Sequence, residues 1–181
     1  MEDIAKCVEA YAEAAKCTYG FRLENGEAFT LSFADEHLFH LLGLHKLLDL
    51  EGFSGQKRKT QVIRRLMTGR LSHEHIAGSD FYPSIQSRIA YFPLVGELLH
   101  LETCNLIIDF DRTKVRPYSN IDAKYILFRE VDGGIIHLTL AMDNQGELRP
   151  QTFLFERGRR YIDRQKKYRI LEIKAVPYDK Q

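Results

Sequence analysis

The sequence predicts an α+β domain, with N-terminal helices and a β-hairpin followed by a C-terminal antiparallel sheet of four to five strands. Three observations carry this prediction. Apolar residues recur at helical spacing through most of the first hundred residues. From Asn105 onward the chain runs in short β-rich stretches. Those stretches are separated by tight turn signals, Gly133-Gly134 and Asn144-Gln145-Gly146, and short turns imply antiparallel neighbours.

Residues 3–17 read as a helix, because Ile4, Val8, Tyr11, Ala12 and Ala15 share helical spacing and alanine favours the state. Tyr19–Leu23 and Ala28–Phe33 flank Asn25-Gly26, a strong hairpin signal between alternating apolar residues. Asp35 suits the N-cap of a helix through Leu50, which Gly52, Ser54 and Gly55 would end. Its leucines point nearly all round, so it should be buried on most sides. Gly43 inside it implies close packing or close approach of a ligand. Residues 56–69 form a sharply amphipathic helix, with Lys57, Arg58, Gln61, Arg64 and Arg65 on one face and Val62, Ile63, Leu66 and Met67 on the other. A helix from Pro83 to Leu101 follows, with a kink or break at Pro93. The strand-like runs are Asn105–Phe110, Lys124–Val131, Ile135–Met142, Gln151–Glu156 and Tyr168–Val176.

The 181 residues fit one domain, 1–181, with 44% hydrophobic and 28% charged residues, too apolar for disorder. There is no apolar run of the roughly 20 residues needed to span a bilayer, and the start Met1-Glu2-Asp3-Ile4 is acidic, unlike a signal peptide. A cytoplasmic protein with no membrane partner is expected. Cys7, Cys17 and Cys104 are odd in number and unpatterned, which fits free thiols. Net charge is +1, but its distribution is uneven. Residues 53–72 carry six bases and no acid, and residues 157–169 seven bases and one acid. Two basic patches can bind an anion whatever the net charge.

Three constellations could carry chemistry. The first is His37, His40, His45 and Lys46. Histidine titrates near neutrality and can take and return protons. His37 and His40 lie on adjacent lines of one helix face, whereas His45 would point about 140° away from His40. The alternatives are structural histidines at a helix surface, or a His37/His40 metal pair that lacks an evident further ligand. The second constellation is the basic stripe of Lys57, Arg58, Arg64 and Arg65, which could follow a phosphate backbone or be a solvated face. The third is Arg157, Arg159, Arg160 and Tyr161, continuing to Arg169. Arginine forks grip phosphate and tyrosine stacks on bases, although a solvated loop has the same composition. Thr152 precedes that loop, and its hydroxyl could meet a phosphate. Arg88 stands in a predicted helix with Ser84 and Ser87 and could stabilise developing charge if it faced a site. His73 and His75 read as surface or cap residues, and Lys114, Arg116, Tyr118 and Lys124 surround a loop entering the sheet. Walker, Gly-x-Gly-x-x-Gly, Gly-x-Ser-x-Gly and paired zinc-ligand motifs are absent from the sequence, so no cofactor is expected.

The segments Phe29-Thr-Leu-Ser-Phe33 and Phe39-His-Leu-Leu-Gly-Leu-His-Lys-Leu47, with Thr152-Phe153 later, resemble the fourth group of phage-associated nucleases of the barnase–EndoU–colicin–RelE type. The similarity spans roughly residues 20–176, with residues 1–18 as an added helix. It implies a barnase/EndoU/RelE-like fold and metal-independent RNA cleavage by 2′-hydroxyl attack. On that resemblance His40 or His45 transfers the proton, and Lys46, Arg88 or the basic loop stabilises phosphorane-like charge. Thr152 would position a phosphate oxygen. RNA is the implied partner, with a cognate antitoxin or immunity protein. The alternative is a non-catalytic nucleic-acid-binding or phage-related interaction protein on a degenerate nuclease scaffold.

Overall fold

Asp3 opens the chain's first helix, α1 (Ile4–Ala14), its carboxylate accepting the Ala5 N–H at 2.9 Å. The computed structural model describes residues 3–53 and 56–178; Ser54 and Gly55, two of the predicted helix stops, lie outside them, as do the side chains of Gln56 and Lys57. The predicted hairpin forms from β1 (Cys17–Leu23) and β2 (Ala28–Leu31), turning at Gly26. Helices α2 (Asp35–Leu41), α3 (Gln56–Met67), α4 (His73–Ala77) and α5 (Gln86–Tyr91) follow. The single helix expected over Pro83–Leu101 is divided. A 3₁₀ turn at Tyr82–Ser84 precedes α5, and a 3₁₀ stretch, Phe92–Leu99, follows it. Pro93 offers no N–H to continue α5, so the break falls beside it.

The expected helix to Leu50 is also divided, and the cause is Gly43. Its φ is +75°, the left-handed conformation that ends helices, and its N–H closes on the His40 carbonyl at 3.0 Å. A 3₁₀ turn, Leu44–Lys46, then sets off in a new direction. The leucines expected around one helix are divided between two short segments: Leu38, Leu41, Leu42, Leu44 and Leu47 are buried in the main core, while Leu48 is exposed. Ala at this position would place its Cβ 2.9 Å from both Arg88 Nη1 and Ile85 Cγ2, in a backbone region that L-residues avoid. Gly43→Ala should therefore cost roughly 1–3 kcal/mol from the backbone, with more from the clash. Gly26→Ala is the control: it has a similar φ of +89° but nothing within 4 Å of the added carbon. Urea denaturation of both should show the larger loss at Gly43; equal losses would mean that the Arg88 contact gives way freely.

Strands β3 (Leu106–Asp109), β4 (Tyr125–Val131), β5 (Gly134–Met142), β6 (Leu148–Glu156) and β7 (Lys166–Pro177) match the β-rich runs. They do not form a separate sheet of four to five strands. One seven-stranded sheet runs in the order β2-β1-β7-β3-β4-β5-β6, because β7 pairs antiparallel with both β1 and β3. The hairpin is thereby fused to the C-terminal strands. The sheet curls into a half-barrel in which its two edges, β2 and β6, approach each other and α2 packs on β6.

Both faces of the sheet are covered. On β5, Ile136, Leu138 and Leu140 join the main core with α1 to α5. Ile135, on the opposite face, joins a smaller cluster with Ile108, Val115, Ile126, Tyr161 and Ile162. Burial on both faces explains the near-continuous apolar reading of β5. The cysteines are free, as expected, and burial pushes the Cys7 and Cys104 thiols up to about 12. No helix among the described residues is long and apolar enough to cross a membrane.

Candidate active site

The break at Gly43 decides the position of the histidines. On a continuous helix His40 and His45 would diverge, as the spacing predicts. The left-handed residue between them folds the chain back, and their ring centroids stand 5.0 Å apart. The pair lines an open cleft of about 970 Å³. Lys46 and Arg88 line it as well, Lys59 comes from the first turns of α3, and Arg149 and Thr152 come from β6. The loop Tyr118–Asp122, Arg160 and Tyr161 complete its lining.

Strand β6 reaches the cleft through a bulge. Thr139 faces Thr152 and Leu140 faces Pro150, which leaves Gln151 without an opposing residue. Pro150 cannot donate to a ladder, and an edge strand with a bulge is where a proline fits. Thr152 beyond the bulge is fixed by its N–H, which donates to Thr139 Oγ1 at 3.1 Å.

The cleft is lined by more cations than carboxylates, the acids among its residues being Glu36 and Asp122. Lys46, Lys59, Arg88 and Arg149 have no carboxylate within ion-pair distance among the described residues. Arg88 is 5% exposed, its Nη1 donating to the His40 carbonyl at 3.1 Å. Burial lowers its pKa to about 10, so it remains a cation at neutral pH. Burial holds the Lys46 ammonium below its ordinary range, and Arg88 adds to the effect. His45 is held down to about 4, first by burial and then by His40, Arg88, Lys46 and Lys59. His40 is lowered by partial burial, Lys59 and Arg149, while its ring still meets solvent. A bound phosphate would reverse these cationic contributions and draw protons back onto the imidazoles.

Other expected residues take different places. His37 lines the cleft, but its Nδ1 accepts the Ala34 N–H at 3.1 Å and so caps α2. Among the described residues, no group of three or more His, Cys, Asp or Glu could hold a metal ion. Arg58, Arg64 and Arg65 are exposed on α3 and do not line the cleft; the residue of that helix that does is Lys59. Lys57 has its side chain outside the described residues. Arg157 is exposed and also outside the cleft lining. Arg159 pairs with Glu130 at 2.6 Å and Asp163 at 3.3 Å. Arg160 reaches the cleft while pairing with Glu156 at 2.7 Å. Tyr161 does not present the free stacking face expected of it. It is 4% exposed, with the Arg160 guanidinium 4.6 Å from its ring and His137 5.8 Å away. Lys59 and Arg149 had no distinguishing sequence signal, since each is one cation among many.

His137 was also not singled out by the sequence. It is fully buried on β5, and neither ring nitrogen has a hydrogen-bond partner among the described residues. Burial, aided by Arg160, holds its pKa down to about 4. An unfolded histidine titrates at about 6.5, so between the two values the unfolded chain binds more protons. Stability is therefore complete above pH 6.5 and falls as pH drops towards 4, by about 3 kcal/mol for one such group. His137→Leu should flatten that slope in urea titrations at pH 7 and pH 4.5. An unchanged slope would show that His137 is not the group responsible.

The cleft thus combines a histidine pair at 5.0 Å with Lys46, Lys59, Arg88 and Arg149, four cations that have no ion pair among the described residues. It lies on a strongly curled antiparallel sheet backed by helices, the architecture of a barnase/EndoU-like nuclease domain. The chain belongs to the phage-Barnase-EndoU-ColicinE5/D-RelE like nuclease4 family, whose model matches residues 3–180 and so includes α1. No curated protein and no solved structure matches the chain.

Proposed function

We propose that the protein is an endoribonuclease of phage-toxin type that cleaves RNA by 2′-hydroxyl attack, without a metal ion. The observation that supports this most is the convergence of His40, His45, Lys46, Arg88 and Thr152 on one cleft. Two imidazoles at 5.0 Å do not readily both carry charge. Both are held below their ordinary range in the free cleft, and a bound phosphate returns a proton to one of them, which supplies a base and an acid together.

The neutral ring removes the proton from the 2′-hydroxyl. The O2′ atom attacks the adjacent phosphorus, and the bond from phosphorus to O5′ breaks. The protonated ring delivers its proton to O5′, leaving a 2′,3′-cyclic phosphate and a free 5′-hydroxyl. Lys46 and Arg88 stabilise the negative charge that builds on the non-bridging oxygens. Thr152 donates its hydroxyl to one of those oxygens, with its backbone held by Thr139.

The test is a DNA oligonucleotide carrying one ribonucleotide, incubated with the protein in EDTA. The expected result is a single cut after the ribonucleotide, with a cyclic phosphate end and no cutting of the all-deoxy strand. Equal cutting of the all-deoxy strand would contradict 2′-hydroxyl attack. Salt-sensitive binding without scission would instead assign a non-catalytic nucleic-acid-binding role to the same cleft.

A further inference from the structure

We infer that Tyr118 is a stacking platform for a nucleobase, so that the cleft takes single-stranded rather than base-paired nucleic acid; this rests on the nuclease reading above. Two tyrosines line the cleft. Tyr161 is sealed by Arg160 and His137, whereas Tyr118 is 67% exposed.

The chain that carries Tyr118 is anchored around it. Val115 is fully buried in the outer cluster. Ser119, the next residue, is 4% exposed; its Oγ accepts the Ile121 N–H at 3.1 Å and meets the Tyr161 hydroxyl at 3.5 Å. Ile121 packs on the same cluster. The backbone is therefore held while the ring projects. A fixed aromatic beside a cationic groove is the arrangement that binds unpaired strands, because every base has a π-face. Asn120 and Asp122, on the same loop, also line the cleft and offer a mixed donor and acceptor edge to a base. A base inside a duplex has both faces covered by its neighbours and cannot use such a platform.

The test uses 2′-O-methyl RNA, which cannot undergo 2′-hydroxyl attack, with 2-aminopurine as the fluorescent base. Wild type and Tyr118→Phe should bind the single strand, with quenching, more tightly than the same strand in a duplex. Tyr118→Ala should lose roughly 5- to 150-fold in affinity, the usual worth of one base–aromatic stack, and most of the preference for single strands. Its circular dichroism should match wild type, because the ring is exposed. Unchanged binding by Tyr118→Ala, or equal binding of duplex, overturns the stacking role. Cleavage of unmodified RNA by the same preparation would then leave the nuclease reading standing. Absence of both binding and cleavage overturns the two together.

Discussion

His40→Ala is expected to lower RNA cleavage by about 10²- to 10⁴-fold, the usual worth of a positioned general acid or base, while leaving the fold intact. The ring is exposed at the cleft, so its removal should not disturb the core. His45 differs. It is half-buried and its Nδ1 has no partner, so His45→Ala should cost activity with a change in stability as well. If the two rings divide one proton-transfer task, the double variant should be little worse than His40→Ala alone, since residues acting as a unit are non-additive. Single-turnover cleavage of the three variants in EDTA, with circular dichroism on each, provides the comparison. Undiminished cleavage by folded His40→Ala would remove His40 from the mechanism. Additive losses would show that the rings act separately.

What the sequence made legible follows the range of the interactions involved. The hairpin at Asn25-Gly26 and the stripe of α3 are local, encoded by turn chemistry and by period. The β-rich runs were located for the same reason. The place of β7 was not legible. It enters between β1 and β3, pairing Tyr19 with Ala175 and Ile107 with Tyr168, and nothing local to either strand specifies that partner. The same limit applies to charge. The Arg157–Arg169 run has one acid, Asp163, against seven bases in sequence, yet Glu130 on β4 and Glu156 on β6 also neutralise Arg159 and Arg160. The cleft cations without an ion pair among the described residues are scattered: Lys46, Lys59, Arg88 and Arg149 come from four separate segments. The histidine pair shows how one residue misleads. The motif around His40 and His45 was visible, but a continuous helix sent the rings apart. A single left-handed glycine brings them together.

Arg88→Met is expected to leave the protein as stable as wild type, or more stable, while reducing cleavage by about 10²- to 10³-fold. A buried cation is costly to desolvate, and no carboxylate near Arg88 offsets that cost among the described residues. An apolar side chain of similar length removes the burden. It also creates no orphan, because the His40 carbonyl still accepts the Gly43 N–H at 3.0 Å. Replacing buried charge in this way is often neutral or stabilising by about 1–4 kcal/mol, so the thermal midpoint should hold or rise by several degrees. The charge also bears on His45, whose pKa it helps to hold near 4; in the Met variant the imidazole should titrate closer to its ordinary range by NMR. Arg88→Lys keeps the charge without the planar fork and should fall between the two in activity. A marked loss of stability in Arg88→Met would assign the guanidinium to holding α2 against α5. Full activity with an upward-shifted His45 would show that the cation tunes the histidines without meeting the phosphate. The combination of retained stability and lost cleavage is the result that a buried, unneutralised arginine predicts.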